Sequence, residues 1–552
     1  MKQRLSQAHL AAVNRRRRVV VNFDTNFGSP SVVIPLAGTD IGDVVQDYFR
    51  MIDEPGVEID SIWWCWLDGN YACYPSRILP IWELPGFKKW WDAGIDPLRI
   101  FAEETKKREK EVFFSYRLNG TDMTSIEPLS KPLLKEIHPD WLMQTWESYG
   151  NLGYWNFVEQ GVRDYKLAIL REIAEDYDFD GIEIDFARVP VTLPIGHQWE
   201  NRTYLTEFMR TVRKMTLEIE EKRDRPFLIA ARVPETLEGC HFDGMDVETW
   251  ACEQLVDIFV LGNRSFDVDI AAFRRITART EIKLYPCLDD HHATDGYLHP
   301  PIEVFRGVFA NWWHQGADGI QTFNFDHVMA DVPGLQYTEI EPDQISALHR
   351  QAYQEIGSAA SLKHRDKIFV IQRRGGGHGP TVIPNPEDWT TPRWMYYLTN
   401  MLAPLPTNLA NDGKTDTMLM VYIADDLAGE SRDVARISVR VLLSDSSAED
   451  LPANERLQTA IIAASKVHNL KTIPPAKKIV DQIELRLNNA LLDRPTVEEG
   501  WLVFTVQPDQ FAIGNNLIGL CIKERSSDAS GDISVEKLEV QVKYRFDVEP
   551  HK

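Results

Sequence analysis

Two kinds of segment alternate along roughly the first two-thirds of the chain. Short runs of β-branched and aromatic residues are followed by longer stretches in which apolar residues recur at helical spacing. The short runs predict strands at 18–24, 60–66, 111–117, 181–186, 227–233, 256–261, 282–287 and 319–325. The longer stretches predict helices at 41–53, 97–110, 162–177, 203–222, 247–255, 270–279, 301–315 and 344–356. This rhythm is typical of an α/β protein with a parallel sheet.

Eight strands that alternate with eight helices match the count and size of a closed (β/α)8 TIM barrel. An open, doubly wound sheet is the alternative, and it usually carries a glycine-rich first turn. The first predicted strand is followed by Thr25, Asn26 and Phe27 before a single glycine, so that turn is missing. We therefore expect residues 1–358 to form a barrel domain.

A different pattern begins near residue 362. Predicted strands at 367–372, 418–423, 436–443, 482–487, 501–506, 516–522 and 538–544 are separated by proline, glycine and asparagine, with few helices between them. Several short, alternating strands are typical of an antiparallel β-sandwich of the jelly-roll kind. We expect residues 359–552 to form an accessory domain. Truncation near Ala359 should leave a folded barrel if the interface between the domains is modest.

The charge balance narrows the classes of partner. With 60 basic and 83 acidic residues the formal charge is −23, which argues against nucleic acids and anionic membranes as partners. The run Arg15 to Arg18 is followed by only three valines, too few for a signal peptide, and no stretch is long enough to span a membrane. The six cysteines lack metal-binding spacing. A cytoplasmic protein without cofactor is expected, and a homo-oligomer remains open.

Candidate chemistry collects where the predicted strands end. In a β/α barrel the active site lies at the carboxyl ends of the strands. Every predicted strand presents a polar or charged residue there: Asp24; Trp66 and Asp68; Arg117 and Asn119; Asp185 and Arg188; Arg232 and Glu235; Asn263 and Arg264; Asp289, Asp290, His291 and His292; Asp326 and His327. Carboxylates converging with tryptophan and arginine suit a sugar, because they bind hydroxyl groups, stack on the ring and supply acid–base groups.

The fourth predicted strand carries the sharpest local signal. Strand alternation places Glu183 and Asp185 on one face and Ile182 and Ile184 on the other, toward the helices. An acidic pair that points into a barrel is costly unless it is paired or catalytic. The alternative is a structural, ion-paired glutamate next to an aspartate that caps a helix.

The segment Asp180 to Arg188 resembles the fourth-strand motif of several TIM-barrel glycosidase groups. Its core reads Asp-Gly-Ile-Glu-Ile-Asp, and it departs from the chitinase pattern because Ala187 stands where that family's catalytic glutamate belongs. It is most similar to the family 10-like glycosyl hydrolase barrels of planctomycete-type bacteria, which share the second-strand motif found at Ile59 to Trp64 and the following Tyr74-Pro75-Ser76. The resemblance covers the barrel. It implies a glycosidase in which the strand-end Asp185 is the nucleophile or assists it.

A glycosidase needs a second carboxyl group roughly 5–9.5 Å from the first. Glu235, on the neighbouring fifth strand, meets that requirement by position and resembles the fifth-strand glutamate of amylase-type barrels. Asp289 or Asp290 is the alternative. The run Asp289 to His292 could instead help to hold a metal, although adjacent residues seldom reach one ion together. The first strand, with Asn22 and Asp24, lacks the His-x-His motif of metal-dependent barrel hydrolases.

We therefore predict a glycoside hydrolase that cleaves an oligo- or polysaccharide, with Asp185 as nucleophile or stabiliser and Glu235 as general acid/base. Glu183, Arg188 and Arg232 would orient Asp185 and set its charge. The predicted substrate-binding residues are Asp24, Trp63, Trp64, Trp66, Asp68, Arg117, Asn119, Glu183, Arg188, Arg232, Asn263, Asp289 and Asp326. Two rivals remain: a barrel that binds carbohydrate without catalysis, and a lyase or isomerase that uses His291 or His292 as its base.

Overall fold

A computed structural model of the chain describes the greater part of both predicted domains. The described residues are 5–25, 38–66, 71–81, 85–119, 133–143, 154–188, 190–262, 264–289, 297, 300–323, 325, 342–373, 403–410, 412–445, 479–523 and 533–545.

Eight parallel strands form a closed barrel in simple sequence order. They are β1 (Val19–Asp24), β2 (Ile59–Cys65), β3 (Glu111–Arg117), β4 (Gly181–Asp185), β5 (Leu228–Val233), β6 (Ile258–Leu261), β7 (Lys283–Asp289) and β8 (Ile320–Phe323). The barrel closes where β1 pairs with β8, from Val19 opposite Ile320 to Asn22 opposite Phe323. The predicted fold class is confirmed, and each predicted barrel strand is present within a few residues of its expected ends.

Helices lie between the strands and follow the last of them. They are α1 (Gln7–Val13), α2 (Ile41–Phe49), α3 (Pro85–Asp92), α4 (Pro97–Lys107), α5 (Leu133–Ile137), α6 (Gln160–Asp176), α7 (Arg202–Arg223), α8 (Leu237–Phe242), α9 (Val247–Glu253), α10 (Ile270–Thr277), α11 (Ile302–His314) and α12 (Pro342–Glu355). The eight predicted helices are all present. The sequence did not predict α1, α3, α5 and α8, which have at most eight residues and therefore show too little periodicity.

Alternate residues of each barrel strand contribute to two different apolar cores, one between the strands and the helices and one inside the barrel. Apolar side chains that face outward, such as Ile182 and Ile184, pack against the helices in the larger cluster. The inward side chains form a smaller apolar cluster that includes Trp63, Phe113 and Phe323. This division confirms the predicted orientation of β4, because Ile182 and Ile184 face the helices while Glu183 and Asp185 face the barrel interior.

The amino-terminal end of the barrel is closed by buried charges. Arg17 donates two hydrogen bonds to Glu111, from Nε at 2.6 Å and Nη2 at 2.5 Å, and the Ser61 hydroxyl donates to the same carboxylate at 2.7 Å. On α1, the His9 imidazole lies between Glu220 at 2.5 Å and Asp257 at 2.9 Å. Burial opposes a charged imidazole, but the hydrogen bonds to Asp257 and Glu220 raise the pKa of His9. These contacts tie α1 to the end of the barrel opposite the candidate site.

The carboxyl-terminal part consists of two antiparallel sheets. The first contains β9 (Lys367–Ile371), β10 (Thr407–Asn408), β12 (Val434–Asp445), β15 (Thr496–Glu498), β16 (Trp501–Val506) and β18 (Ile533–Tyr544), and the second contains β11 (Thr417–Ile423), β13 (Ile483–Leu487), β14 (Ala490–Leu491) and β17 (Gly514–Ile522). Their facing apolar side chains form a separate core. The predicted antiparallel β-sandwich is confirmed, and the short strands β10, β14 and β15 are additions to it.

The sandwich joins the barrel through α11. A Cβ atom on Gly307 would lie 2.2 Å from the Ile368 carbonyl oxygen, so glycine allows β9 to approach the helix closely. Asn311 donates to the Tyr422 carbonyl at 2.9 Å and accepts from the Ala424 amide at 3.0 Å. Val370 of β9 also belongs to the barrel's larger apolar cluster. The interface is therefore both apolar and hydrogen-bonded.

Two further features concern the chain as a whole. None of the helices in the described ranges combines the length and apolar character that a bilayer crossing requires. The six cysteines all lie in described ranges and form no disulfide with one another there.

Candidate active site

The register of three neighbouring strands places one carboxylate between two arginines. Arg117 on β3 pairs with Asp185 on β4, and Asp185 pairs with Arg232 on β5. All three side chains point into the barrel at the carboxyl end of their strands, and each residue is at most 4% exposed. The motif on β4 thus presents its aspartate at the level where barrel enzymes carry their chemistry.

Asp185 is held by two groups. The Arg232 guanidinium donates to Oδ2 in an ion pair whose two side chains are fully buried. The backbone N–H of Arg188 donates to Oδ1 at 2.9 Å. An arginine contact and an amide contact both favour the ionised form of a carboxyl group. This amide contact is not the helix cap considered as an alternative, because residues 187–188 form a bend and the next helix among the described residues begins at Arg202.

Two further carboxylates at this end of the barrel are also paired with arginine. Arg117 donates to both oxygens of Asp24 at 2.5 Å, and Arg264 donates from Nε to Asp289 at 2.6 Å. With the pair on β4 and β5, the described part of the mouth contains three buried aspartate–arginine pairs drawn from six elements around the barrel. Their charges balance within this set.

An aromatic ring lies between two of these arginines. The Arg232 guanidinium carbon is 4.3 Å and that of Arg117 is 5.7 Å from the centre of the Phe323 ring. Cations over an aromatic face are attracted by the ring quadrupole. Phe323, at the end of β8, therefore fixes the position of both guanidinium groups from the opposite side of the barrel mouth.

Glu183 lies below Asp185 on the same face of β4. Its carboxyl group accepts hydrogen bonds from the Ser115 hydroxyl at 2.5 Å and from the side-chain amides of Asn22 at 2.6 Å and Gln321 at 3.3 Å. Burial, together with the negative charge of Asp185, raises the pKa of Glu183 to about 7, although the Arg232 charge acts in the opposite direction. Glu183 can therefore hold a proton near neutral pH.

The amide groups around Glu183 are suited to its neutral form. Asn22 Oδ1 and Gln321 Oε1 are both buried and have no hydrogen-bond donor in the part of the chain that the structure describes. A protonated Glu183 supplies one O–H donor, which can satisfy one of these acceptors. A buried acceptor without a donor costs free energy, so these two oxygens favour the protonated acid, whereas the donors Ser115 and Gln321 favour the ionised form.

Glu235 lies two residues beyond the end of β5. It is partly exposed, and its backbone carbonyl accepts a hydrogen bond from the Asp269 amide at 3.0 Å. A Cβ atom on Gly262 would lie 3.1 Å from Glu235 Cβ, so a glycine at the end of β6 makes room for this residue. Among the described residues its side chain forms no hydrogen bond or ion pair. Glu235 thus differs from the paired aspartates of the mouth.

The tryptophans of β2 do not form the predicted sugar platform. Trp63 faces inward, as expected for one of the three, but it is fully buried and stacks on Phe113 with ring centres 4.7 Å apart. Trp64 is also fully buried and packs against Phe101 of α4 at 4.8 Å. Trp66 is 2% exposed and belongs to the same outer core. This part of the prediction was wrong. The three side chains are buried in the inner and outer apolar cores of the barrel and do not line its mouth.

Asn119 also has a different role from the one predicted. Its side-chain amide donates to the carbonyls of Trp155 and Val191, and its oxygen accepts from the Trp155 amide at 3.1 Å. These bonds tie three loops of the barrel together and leave no group of Asn119 directed at a ligand. The predicted residues Asp68, Asn263 and Asp326 lie outside the described residues, as do Asp290, His291 and His292.

Several residues of the site were not predicted from the sequence. Asn22, Ser115, Gln321 and Phe323 are neutral, whereas most of the predicted site residues are charged residues at strand ends. The signal was nevertheless present: each of the four lies two residues from, or in strand register with, a residue that points into the barrel. Alternation applied to every strand would have placed all four inside.

The barrel matches a known family over part of its length. Residues 45–208, which include β2, β3 and β4, match the model of the family described as Glycosyl hydrolase-like 10. A 117-residue stretch is 32% identical to Glycosyl hydrolase YngK of Bacillus subtilis (strain 168) and covers 21% of this chain and 22% of that protein. The chain thus matches about a fifth of the length of this curated relative.

Similar solved structures have low sequence identity. The glycoside hydrolase domain of PgaB (BpsB) from Bordetella bronchiseptica is 12% identical, with a TM-score of 0.39, over 62% of this chain and 99% of that one. The maltogenic α-amylase AmyB from Thermotoga neapolitana is 11% identical, with a TM-score of 0.36, over 92% and 99% of the two chains. The family match confirms the resemblance found in the β2 and β4 motifs, because both motifs lie in the stretch that is similar to the Glycosyl hydrolase-like 10 model.

Proposed function

We propose that the protein is a glycoside hydrolase that cleaves an oligo- or polysaccharide with Asp185 and Glu235. Asp185 acts as nucleophile or electrostatic stabiliser, and Glu235 as general acid/base. The observation that carries the proposal is the buried pair of Asp185 and Arg232 at the carboxyl ends of β4 and β5. A carboxylate that is held in place by an arginine at this position can stabilise the positive charge that develops on the sugar ring.

The choice of Glu235 over Asp289 rests on their surroundings. Asp289 is fully buried, and its carboxylate is already engaged by Arg264. Glu235 is partly exposed and has no cation bound to it among the described residues. A general acid has to carry a proton that it can give to the leaving oxygen. Glu235 is therefore the better candidate, and it lies two residues beyond the end of β5, the strand next to that of Asp185.

Glu183 has a positioning role in this proposal. Its carboxyl group is enclosed by Asn22, Ser115 and Gln321, so it does not reach a substrate at the mouth. In its protonated form it places no second negative charge beneath Asp185. It therefore leaves Arg232 as the dominant charge acting on Asp185.

The balance of charge at the mouth favours a neutral sugar. Asp24, Asp185 and Asp289 are matched by three arginines within the described residues. A uronic or sulfated sugar would be bound better by arginines that are not already neutralised. The remaining hydrogen-bonding capacity of these paired groups suits the hydroxyl groups of a neutral glycan.

The test is release of reducing ends from a panel of neutral and acidic polysaccharides. Asp185→Asn should lower turnover by at least ~10³-fold, since the change removes the charge that stabilises the transition state. Asp257→Asn is the matched control, because Asp257 is also buried against an arginine but lies at the other end of the barrel. Equal losses in the two variants would mean that Asp185 matters only for folding. An unsaturated product would indicate a lyase, and binding without any product a non-catalytic barrel.

A further inference from the structure

A second cavity lies between the barrel and the sandwich. Its volume is about 310 Å³, at the lower end of the range of roughly 300–1,000 Å³ that is usual for small-molecule sites. Tyr297 and Glu303 line it from the barrel, while Arg440, Trp501 and Glu539 line it from the first sheet of the sandwich. No residue of the candidate active site contributes to its wall.

Strand alternation directs the sandwich residues into this cavity. On β18 the apolar Leu538, Val540 and Val542 face the sandwich core, so the intervening Glu539 and Gln541 face outward. In the register of the sheet, Glu539 lies opposite Arg440 of β12. Polar side chains from neighbouring strands are thus collected on one patch of the outer face.

The contacts within the cavity leave one carboxylate poorly satisfied. The Glu539 side chain is only 7% exposed, and its contacts in the described chain are a 3.6 Å approach to Arg440 and a 3.4 Å hydrogen bond from the Tyr297 hydroxyl. Good hydrogen bonds to a carboxylate are several tenths of an ångström shorter. A buried carboxylate with such long contacts has unused acceptor capacity directed into the cavity, which a ligand hydroxyl group can fill.

The other walls supply an aromatic ring and several donors. The Arg440 guanidinium carbon lies 4.3 Å from the centre of a Trp501 ring, which fixes the arginine. Lys543 binds Asp366 at 2.8 Å and approaches Glu303 at 3.7 Å. Three carboxylates, a guanidinium, two ammonium groups, an amide and a phenol surround the same space, so the lining residues carry acidic and basic groups in equal number.

The rim includes a residue with an unfavourable backbone conformation. Glu499, in the turn between β15 and β16, has φ 48°, and the next residue, Gly500, has φ 88°. A turn of this kind normally has asparagine or aspartate before the glycine. A left-handed conformation is unfavourable for other residues, because Cβ comes too close to the following carbonyl oxygen. Glu499 lies at the rim of the cavity, where a carboxylate can accept a hydrogen bond from a ligand hydroxyl group.

We propose that this cavity binds a sugar unit of a neutral polysaccharide, as a carbohydrate-binding site separate from the catalytic one. The inference rests on the proposed function for the class of its ligand. The balanced charges exclude strong selection for an anion or a cation, while the mixed donors and acceptors match hydroxyl groups. Because α11 follows β7, its first turn lies on the same side of the barrel as Asp289. A long glycan bound at the mouth can therefore extend to this site.

The test measures binding of the inactive Asp185→Asn protein to an array of immobilised neutral and acidic polysaccharides. Adding Glu539→Gln should weaken binding to the preferred polysaccharide at least ~10-fold, since glutamine keeps the shape but loses the charged acceptor. Adding Glu499→Asn should also weaken binding to this polysaccharide. Asparagine tolerates a positive φ better than glutamate, so this substitution should not impair folding. Glu484→Gln is the matched control, a partly buried sandwich carboxylate on the other sheet.

The outcomes separate this site from the proposed activity. Unchanged binding in both cavity variants overturns the inference, and so does a parent protein that binds no polysaccharide on the array. If the cavity variants lose binding while the wild-type protein releases no reducing ends, the binding site stands and the proposed hydrolase function fails. If both hold, Glu539→Gln in the active protein should lower kcat/KM on the polysaccharide and leave it unchanged on a short oligosaccharide.

Discussion

Asp185 and Arg232 form an ion pair in which neither side chain is exposed to solvent. The two residues lie opposite each other in the register of β4 and β5, so the barrel itself sets their separation. A buried ion pair is often no more stabilising than apolar side chains of similar volume at the same positions. Removal of one partner alone, however, costs roughly 3–5 kcal/mol of folding free energy. A pair of this kind at the mouth of a barrel is better explained by its chemical role than by its contribution to stability.

Asp185→Asn should destabilise the protein less than this figure of roughly 3–5 kcal/mol. The negative charge of Asp185 contributes to the raised pKa of Glu183, so its removal lets Glu183 ionise and balance Arg232. In the double variant Asp185→Asn/Glu183→Gln, neither residue can supply a negative charge to balance Arg232. Urea unfolding at neutral pH should show a loss that exceeds the sum of the two single losses by about 1–3 kcal/mol. Additive losses would mean that the two carboxyl groups do not share the arginine.

Glu235→Gln tests the general acid. The rate should follow a bell in pH, and this variant should lose the alkaline limb, because glutamine has no proton to give to the leaving group. A substrate with a good leaving group needs little protonation and should be affected much less than a natural glycoside. Glu238→Gln, an exposed neighbour on α8, serves as the control. Equal losses on both substrates would transfer the acid role to Asp289.

Glu183→Gln should change how stability depends on pH. The folded pKa of about 7 is above the ordinary value of 4.5, so the folded state holds a proton that the unfolded chain has released. The stability of the wild-type protein is therefore reduced as the pH rises from about 4.5 through 7, and glutamine removes this loss. The variant should gain stability relative to the wild type with rising pH, by up to roughly 3 kcal/mol. A difference that is constant from pH 4.5 to 8 would contradict the raised pKa.

The barrel and the sandwich were predictable because their patterns are long and repeated. The eight barrel strands have enough β-branched and aromatic residues to be recognised one by one, and Glu183 and Asp185 could be assigned to the inner face from alternation alone. The same rule does not tell how deep an inward residue lies. Trp63 was therefore expected at the mouth, whereas its stacking on Phe113 places it in the barrel's core.

The pairing of charges could not be predicted from single strands. Asp24 and Arg117 lie on β1 and β3, and their contact depends on how the strands are staggered around the closed barrel. The cavity at the sandwich was also missed, since its walls come from segments more than a hundred residues apart, such as Tyr297 and Arg440. Short helices such as α1 were not visible because they have too few turns to show a period.

Truncation after residue 358 should give an insoluble barrel, in contrast to the folded barrel expected from the sequence for a modest interface. The barrel depends on contacts with the sandwich, since Val370 of β9 belongs to the barrel's apolar core and Asn311 would lose both of its hydrogen-bond partners. The truncated chain would expose this surface on α11. The measurement is the soluble fraction after expression, together with the thermal midpoint of any soluble product. A soluble product that melts within a few degrees of the full chain would show that the barrel is independent after all.

Gln372, which follows β9, connects the sandwich to the candidate site. Its side chain accepts a hydrogen bond from the Phe266 amide at 2.8 Å and donates to the Arg264 carbonyl at 2.9 Å, and all three residues are buried. Arg264 in turn holds Asp289.

Gln372→Ala should leave a buried donor and a buried acceptor without partners, at a cost of about 1–3 kcal/mol each. The loop that carries Arg264 should loosen, and kcat/KM should fall about 10-fold even well below the melting temperature, because small displacements at a site are costly. Gln351→Ala is the matched control, since Gln351 is partly exposed and its side chain, within the described ranges, binds Glu355 on the same helix. If Gln372→Ala lowered the melting temperature but left kcat/KM unchanged, the sandwich would support the barrel without any influence on the arginine–aspartate pairs at its mouth.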